Sequence, residues 1–269
     1  MKRFRCIIPK LETRNSREIF MLFSAMNLMG YNEENNPRGM SDERKRVRNV
    51  LRAYDWRNKY PRLASVIKKH HPWYLVRWIL LKDKRLSDLE RFAQEKDVQK
   101  QWNELKIRFK QKTKKIATIF ERETNRLITF IGTPPKQLKK IILIVNPLDA
   151  YWRGYAFNIK GTGYIIVGPE AEKNGGRLIR HELLHLFTPT IQISKNIIVD
   201  QRHRRLIAQG YGSNSAIKNE YVVRSLNLLY QRGILKKNIS QAIKNEENDF
   251  PHIRKVMQII MVKLKRGVR

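Results

Sequence analysis

Apolar residues recur at intervals of three and four over most of the first 130 positions, and this spacing predicts a run of helices. "SREIFMLFSAMNLMG", residues 16–30, opens on a serine suited to capping and closes on a glycine. "SDERKRVRNVLRAYDW" repeats the pattern from Ser41, with acidic residues in its first turn where they favour the helix dipole. "YPRLASVIKKH" and "PWYLVRWILLK" continue the series. In the "HHPW" junction between them, adjacent histidines face different directions and Pro72 restricts what precedes it, so His70 and His71 are read as loop or cap residues. A long helix is expected from about Glu95 to Phe130, where Trp102, Leu105, Phe109, Ile116 and Phe120 form an apolar stripe whose role is packing.

The pattern changes at "IGTPPKQLKK". Gly132, Pro134 and Pro135 break helix continuity, and the residues beyond are rich in β-branched side chains. "KIILIVN" reads as a buried strand, and "YAFNIKGTGYIIVGP" as two strands joined by a turn at Lys160 to Gly163, with Pro169 closing the second. A short connection containing Gly175 and Gly176 leads into a helix, "RLIRHELLHLF", which must stop at Thr188-Pro189. Two further helices are expected, one from about Ser215 to a terminal glycine at Gly233 and one from roughly Pro251 to Lys265. The expectation is a mostly helical α+β protein with a helical region over 1–135 and a second domain over 136–269.

Composition narrows the class. No apolar run approaches the roughly 20 residues of a membrane-spanning helix, and no segment reads as a signal peptide. With Cys6 as the single cysteine, internal disulfides and cysteine-based zinc knuckles are ruled out, so a cytoplasmic setting is expected. The formal charge is +32. Residues 141–200 hold 6 basic and 5 acidic side chains and are close to neutral, so the positive excess belongs to the surrounding helices. Those basic helices, with Trp56, Trp73 and Tyr74 among them, suit weak association with nucleic acid or another anionic surface. The alternative function they suggest is a basic nucleic-acid-binding protein whose metal site is structural or vestigial.

The near-neutral block contains the chemistry. Four residues are slightly more than one helical turn, so His181 and His185 project from one face and can share an ion, with Glu182 beside it. This is the H-E-x-x-H arrangement, in which two imidazoles bind zinc and the carboxylate acts as general base. A shuffled chain of this composition contains the motif about once in a hundred times, so its context matters. Here Ile179, Leu183 and Leu186 form an apolar stripe that anchors the same helix while the histidine edge faces a cleft. Catalytic zinc needs a third protein ligand. Candidates downstream are Asp200, His203, Glu220, Glu246, Glu247, Asp249 and His252. Glu220 is preferred because it sits among Ile217, Tyr221, Val222, Val223 and Leu226, where a carboxylate is costly without a cation; Asp200 is the reserve. The competing reading of Glu220 is an ion pair with Arg224 one turn on. His203, Tyr211 and Tyr221 are unranked candidates for stabilising an oxyanion.

"HELLH" followed 35 residues later by Glu220 in "NEYVVRS" resembles the gluzincin zinc metallopeptidases, whose third ligand is a glutamate on a following helix. "EIFMLFSAMNLMGYNEEN", "HELLHLFTP" and the E-x-x-x-R helix are together similar to a bacterial domain family assigned to zinc metallopeptidases. The metzincin continuation is absent, since Thr188 and Ile191 stand where its glycine and third histidine belong. The resemblance implies a zincin-like domain with a small sheet packed on the active helix, one Zn2+ held by His181, His185 and Glu220, Glu182 as base, and a peptide or protein substrate. It also implies that the strand before the active helix, Gly163 to Pro169, is a free rim that pairs with substrate main chain.

Overall fold

The computed structural model describes residues 8–29, 31, 39–132, 135–172, 176–188, 199, 203, 206 and 213–265. Among them it is mostly helical with one four-stranded sheet, the α+β class expected. α1 (Arg17–Met29) begins where the Ser16 hydroxyl accepts from Ile19 N at 3.2 Å. α2 (Asp42–Leu51) begins where Ser41 accepts from Arg44 N. The apolar pattern through "AYDW" does not extend α2, because Asp55 starts a separate short helix, α3 (Trp56–Lys59), by accepting from Asn58 N. α4 (Pro61–Lys69) and α5 (Pro72–Leu81) each carry proline at the first helical position. His71 caps α5, its Nδ1 accepting from Trp73 N at 3.3 Å, and the His70 ring lies 4.7 Å from that of Trp78. α6 (Ser87–Phe92) is too short to show a periodic signal in the sequence. α7 (Lys96–Ile131) is the long helix expected.

The sheet has the order β1-β2-β4-β3, from β1 (Lys10–Arg14), β2 (Lys140–Val145), β3 (Gly154–Ile159) and β4 (Thr162–Val167). β1 corrects the expectation that the first 130 residues are all helical: "KLETR" has no apolar run and becomes a strand only by parallel pairing with β2. β3 and β4 form the expected hairpin. Lys160 and Gly161 both take positive φ, at 50° and 80°, which turns the chain with a twist that suits the two strands. At the other end of β4, Gly168 passes so close to the backbone that an added Cβ would lie 2.4 Å from the Ala150 carbonyl oxygen. A second correction concerns β4 itself. It pairs with β2 in parallel on one side and β3 antiparallel on the other, so Thr162–Val167 is an interior strand and offers no free edge for substrate.

By contacts the chain groups into two units that interleave along the sequence, rather than two consecutive segments. The first comprises Lys10–Glu121 and Lys140–Ile179. Its core is the face of α1 carrying Phe20 and Phe23, packed with Phe109 of α7 and with Tyr155, Phe157 and Ile166 of the sheet. The second comprises Met1–Pro9, Arg122–Lys139 and Arg180–Arg269 as far as they are described. It holds the end of α7, most of α8 (Arg177–Phe187), and the helices α9 (Asn214–Gly233), α10 (Ser240–Glu247) and α11 (Ile253–Lys265). Gly233 does not end α9 in a left-handed conformation as expected; the left-handed residue beyond that helix is Lys236, at φ 52°. No helix of the described residues is long and apolar enough to cross a membrane.

Within the first unit Asp149 is a buried carboxyl that accepts from the Tyr31 hydroxyl at 2.5 Å and from Ala150 N at 2.7 Å. Burial pushes it up to about 6, against the hydrogen bond from Tyr31 and the charge of Arg153. The folded state therefore keeps a proton at Asp149 over a range in which the unfolded chain has lost it. The contribution of this group is fully present below its ordinary value of 3.8 and is lost as pH rises through about 6. Asp149→Asn cannot ionise and escapes the loss. Urea unfolding of both proteins at several pH values between about 4 and 7 should show the variant gaining on the parent, by at most about 3 kcal/mol. A difference that stays flat across that range would mean the carboxyl is already ionised at the acid end.

Candidate metal centre

Two helices of the second unit build the site. α8 is anchored by Ile179, Leu183, Leu184 and Leu186, all buried, and its last backbone bond runs from Thr188 N to Leu184 O at 3.0 Å. The apolar stripe thus takes the face expected of it, leaving His181 and His185 on a partly exposed edge. α9 starts with the Ser213 hydroxyl accepting from Ala216 N. From Glu220 to Tyr230 every residue of it but Arg224 is buried. Glu220 is the one acid in that buried stretch, a carboxylate only 2% exposed.

The structure brings His181, His185 and Glu220 together. One ligand atom from each lies within 4.8 Å of the others. His181 Nε2 is 3.4 Å from Glu220 Oε1 and His185 Nε2 is 3.3 Å from Glu220 Oε2, while the two rings are 5.0 Å apart and nearly perpendicular. Those separations suit a small divalent cation. Around a tetrahedral ion with bonds of about 2.0–2.1 Å, neighbouring ligand atoms stand roughly 3.4 Å apart. Asn219 fixes one ring, its amide lying 3.1 Å from His185 Nδ1, so that Nε2 is the nitrogen turned to Glu220. The amide nitrogen of Asn219 faces Nδ1 and its oxygen accepts from Thr188 Oγ1 at 3.5 Å; a metal on Nε2 needs Nδ1 protonated, and so the amide turned with its oxygen to the ring.

The electrostatics agree with the donor set. Burial works against ionising Glu220, yet the charges of His181 and Arg224 and the hydrogen bond of His185 hold its carboxyl well below the usual carboxylate range. Burial likewise works against charging His185, but Glu220 and then Glu182 outweigh it and raise its proton affinity. A buried anion has thus gathered cations about it, and a metal would take the place of protons on the imidazoles. Arg224 is a partner of Glu220, as the competing reading has it, but in a buried setting: its Nε donates to Glu220 Oε1 at 2.6 Å and its Nη1 to Glu246 Oε2 at 2.6 Å. Its guanidinium also lies over Phe250, 4.7 Å from the ring centre. Glu182 is buried and near enough to His185 to act on its charge.

The other candidates fall elsewhere. Glu246 is engaged by Arg224, and Glu247 by Arg254 at 2.5 Å. His203 and Tyr221 are fully buried and bonded to each other, Nε2 to hydroxyl, at 2.9 Å. This removes both as oxyanion stabilisers, since such a group must reach substrate. Asp200 and Tyr211 lie outside the described residues.

Sequence reasoning missed the device that sets the register of α8. Arg180, the residue before His181, is 4% exposed. It donates from Nη1 to Glu123 Oε2 of α7 at 2.8 Å and from Nε to Asn227 Oδ1 of α9 at 2.8 Å. Its guanidinium lies 4.6 Å from the centre of the Tyr230 ring, whose hydroxyl reaches the same Glu123 oxygen. Asn227 is two turns from Glu220 along one face of α9, so one buried arginine ties together the helices that carry all three ligands. An arginine beside a helix end reads as surface, and nothing in the sequence announces the partner 57 residues upstream.

Arg180→Ala would leave Glu123 buried with the Tyr230 hydroxyl at 3.3 Å and the looser contacts of Arg122 and Arg126, both at 3.4 Å. Its stability by urea unfolding should drop by about 3–5 kcal/mol, whereas the joint replacement Arg180→Met with Glu123→Leu should cost markedly less. Equal losses in the two proteins would mean that shape, rather than the stranded charge, sets the penalty. Comparison of the chain with protein-family models, with curated proteins and with solved structures returned no match, so the reading of this centre rests on its geometry and donor chemistry.

Proposed function

We propose that the protein is a zinc-dependent metallopeptidase in which His181, His185 and Glu220 hold the ion and Glu182 is the general base. The observation that supports this reading is the convergence of two imidazole nitrogens and a buried carboxylate from two helices, with spacings that fit one cation. Zinc held there supplies a Lewis acid that lowers the pKa of water towards neutrality. Glu182, one residue from His181 on the same helix, takes the proton released at its carboxylate and returns it to the departing amine nitrogen. Its burial beside the imidazoles keeps bulk water from competing for that proton.

Arg224 and Asn219 hold rather than react. Arg224 fixes the Glu220 carboxylate by gripping one oxygen, and Asn219 fixes the His185 ring. Peptide main chain does not pair with β4, whose two edges are taken. With Cys6 as its single cysteine the chain needs no oxidising compartment, and a cytoplasmic setting belongs to this reading.

Metal analysis of purified protein together with cleavage of a casein substrate tests the assignment. The parent should bind one zinc per chain; His181→Ala and Glu220→Ala should lose it, with hydrolysis. Asp200→Ala should retain it. Glu182→Gln should keep the metal and lose cleavage by at least about a hundredfold, the scale of a general base. A Gln variant as fast as the parent would remove Glu182 from the role, and full metal content in Glu220→Ala would remove the third ligand.

A further inference from the structure

The first unit holds a cleft of about 590 Å³ between α1, α2 and α3, distant in chemistry from anything the histidines do. Arg48, Arg52 and Arg57 line it with Asn49, Tyr54 and Trp56, and among the described residues no carboxylate lines it. Several cations elsewhere in this unit are matched: Arg46 with Glu104, Lys59 with Glu95, Arg85 with Asp83, Lys112 with Glu43. Arg52 and Arg57 are exposed, and among the described residues neither has an ion pair or hydrogen bond. Two acids beside Tyr54 among the described residues, one in sequence and one through a hydrogen bond, are already committed. Asp55 caps α3, accepting from Asn58 N and Nδ2 at 3.3 and 2.6 Å, and Asp97 accepts from the Tyr54 hydroxyl.

Arg48 is set in place, donating from Nε to Asn27 Oδ1 at 3.1 Å and from Nη2 to Tyr31 O at 2.5 Å. A cleft with one positioned and two uncommitted guanidinium groups concentrates positive potential, and the planar fork of arginine matches phosphate oxygens. The Tyr54 ring, 48% exposed, stands at the same cleft with its edge packed near Trp56, 5.1 Å between ring centres. An aromatic face beside arginines is the arrangement that stacks a base while its phosphate is held. The volume lies in the range of small-ligand sites.

We propose that this cleft binds a nucleotide: Arg48, Arg52 and Arg57 hold the phosphate and Tyr54 stacks on the base. The proposal is independent of the metal centre. A free mononucleotide and a nucleotide within a single strand share this chemistry, and the probes distinguish them.

The test is fluorescence anisotropy of a labelled single-stranded oligothymidylate of eight nucleotides with the full chain, with thymidine monophosphate and inorganic phosphate as competitors. Arg52→Gln with Arg57→Gln should weaken oligomer binding by at least about tenfold, while Lys110→Gln with Lys114→Gln, the same charge change on the exposed side of α7, should weaken it by less than about twofold. Both double variants should melt at the parent temperature, since these side chains are exposed. Displacement of the oligomer by the monophosphate identifies a mononucleotide site, and displacement only by a longer strand identifies a strand site. Tyr54→Ala should weaken the oligomer and the monophosphate but leave inorganic phosphate unchanged. Equal losses in the two charge variants, or no binding by the parent, would overturn the proposal, and unchanged oligomer affinity in Tyr54→Ala would overturn the stacking half of it.

Discussion

A carboxylate buried in the middle of a helix has to be met by positive charge, and Glu220 imposes that requirement on everything around it. Leaving it bare would cost several kcal/mol, so α8 and Arg224 are arranged to supply cations from two sides. Glu123 imposes the same requirement lower in the unit, where Arg180 meets it. The two acids act in concert because Arg180 and His181 are consecutive, and because Asn227 and Glu220 share a face of α9. A shift of α8 by even one residue would break the Arg180 contacts and carry His181 off its carboxylate together. Polar networks of this kind specify one packing among the many that an apolar interface would tolerate.

Much of this was legible beforehand, for physical reasons that differ by element. The long helices showed through apolar periodicity, and α1 and α2 also through serine caps that the structure bears out. Glu220 stood out because a charged residue interrupts an otherwise apolar surround, which is costly enough to need a cause. The hidden features depend on distant pairings. β1 has no apolar signature of its own and exists by virtue of β2, far along the chain. The interior position of β4 follows from its own pairing with β2 along one edge while the hairpin fills the other. Arg180 and Glu123 look unremarkable singly, and α10, eight residues long, is too brief to display a period.

The two units also divide the positive charge in different ways. Around the metal site arginine is consumed internally: Arg224 and Arg180 each serve buried or partly buried carboxylates. At the cleft of the first unit, among the described residues, Arg52 and Arg57 have no acidic partner, and Asp55 and Asp97 are occupied in capping and a hydroxyl contact. Net charge alone, at +32, does not distinguish these situations, because only the partner of each guanidinium tells whether it is structural or available.

The parallel pairing of β1 with β2 joins Lys10 to Lys140. On a ribosome, which delivers the chain from its N-terminus, β1 waits while 130 residues follow before its partner strand emerges. Closing a loop of that length costs about 4 kcal/mol of chain entropy before any contact compensates. Local helices can form during that wait, but the sheet cannot, so maturation of the first unit is tied to the emergence of the chain past β2.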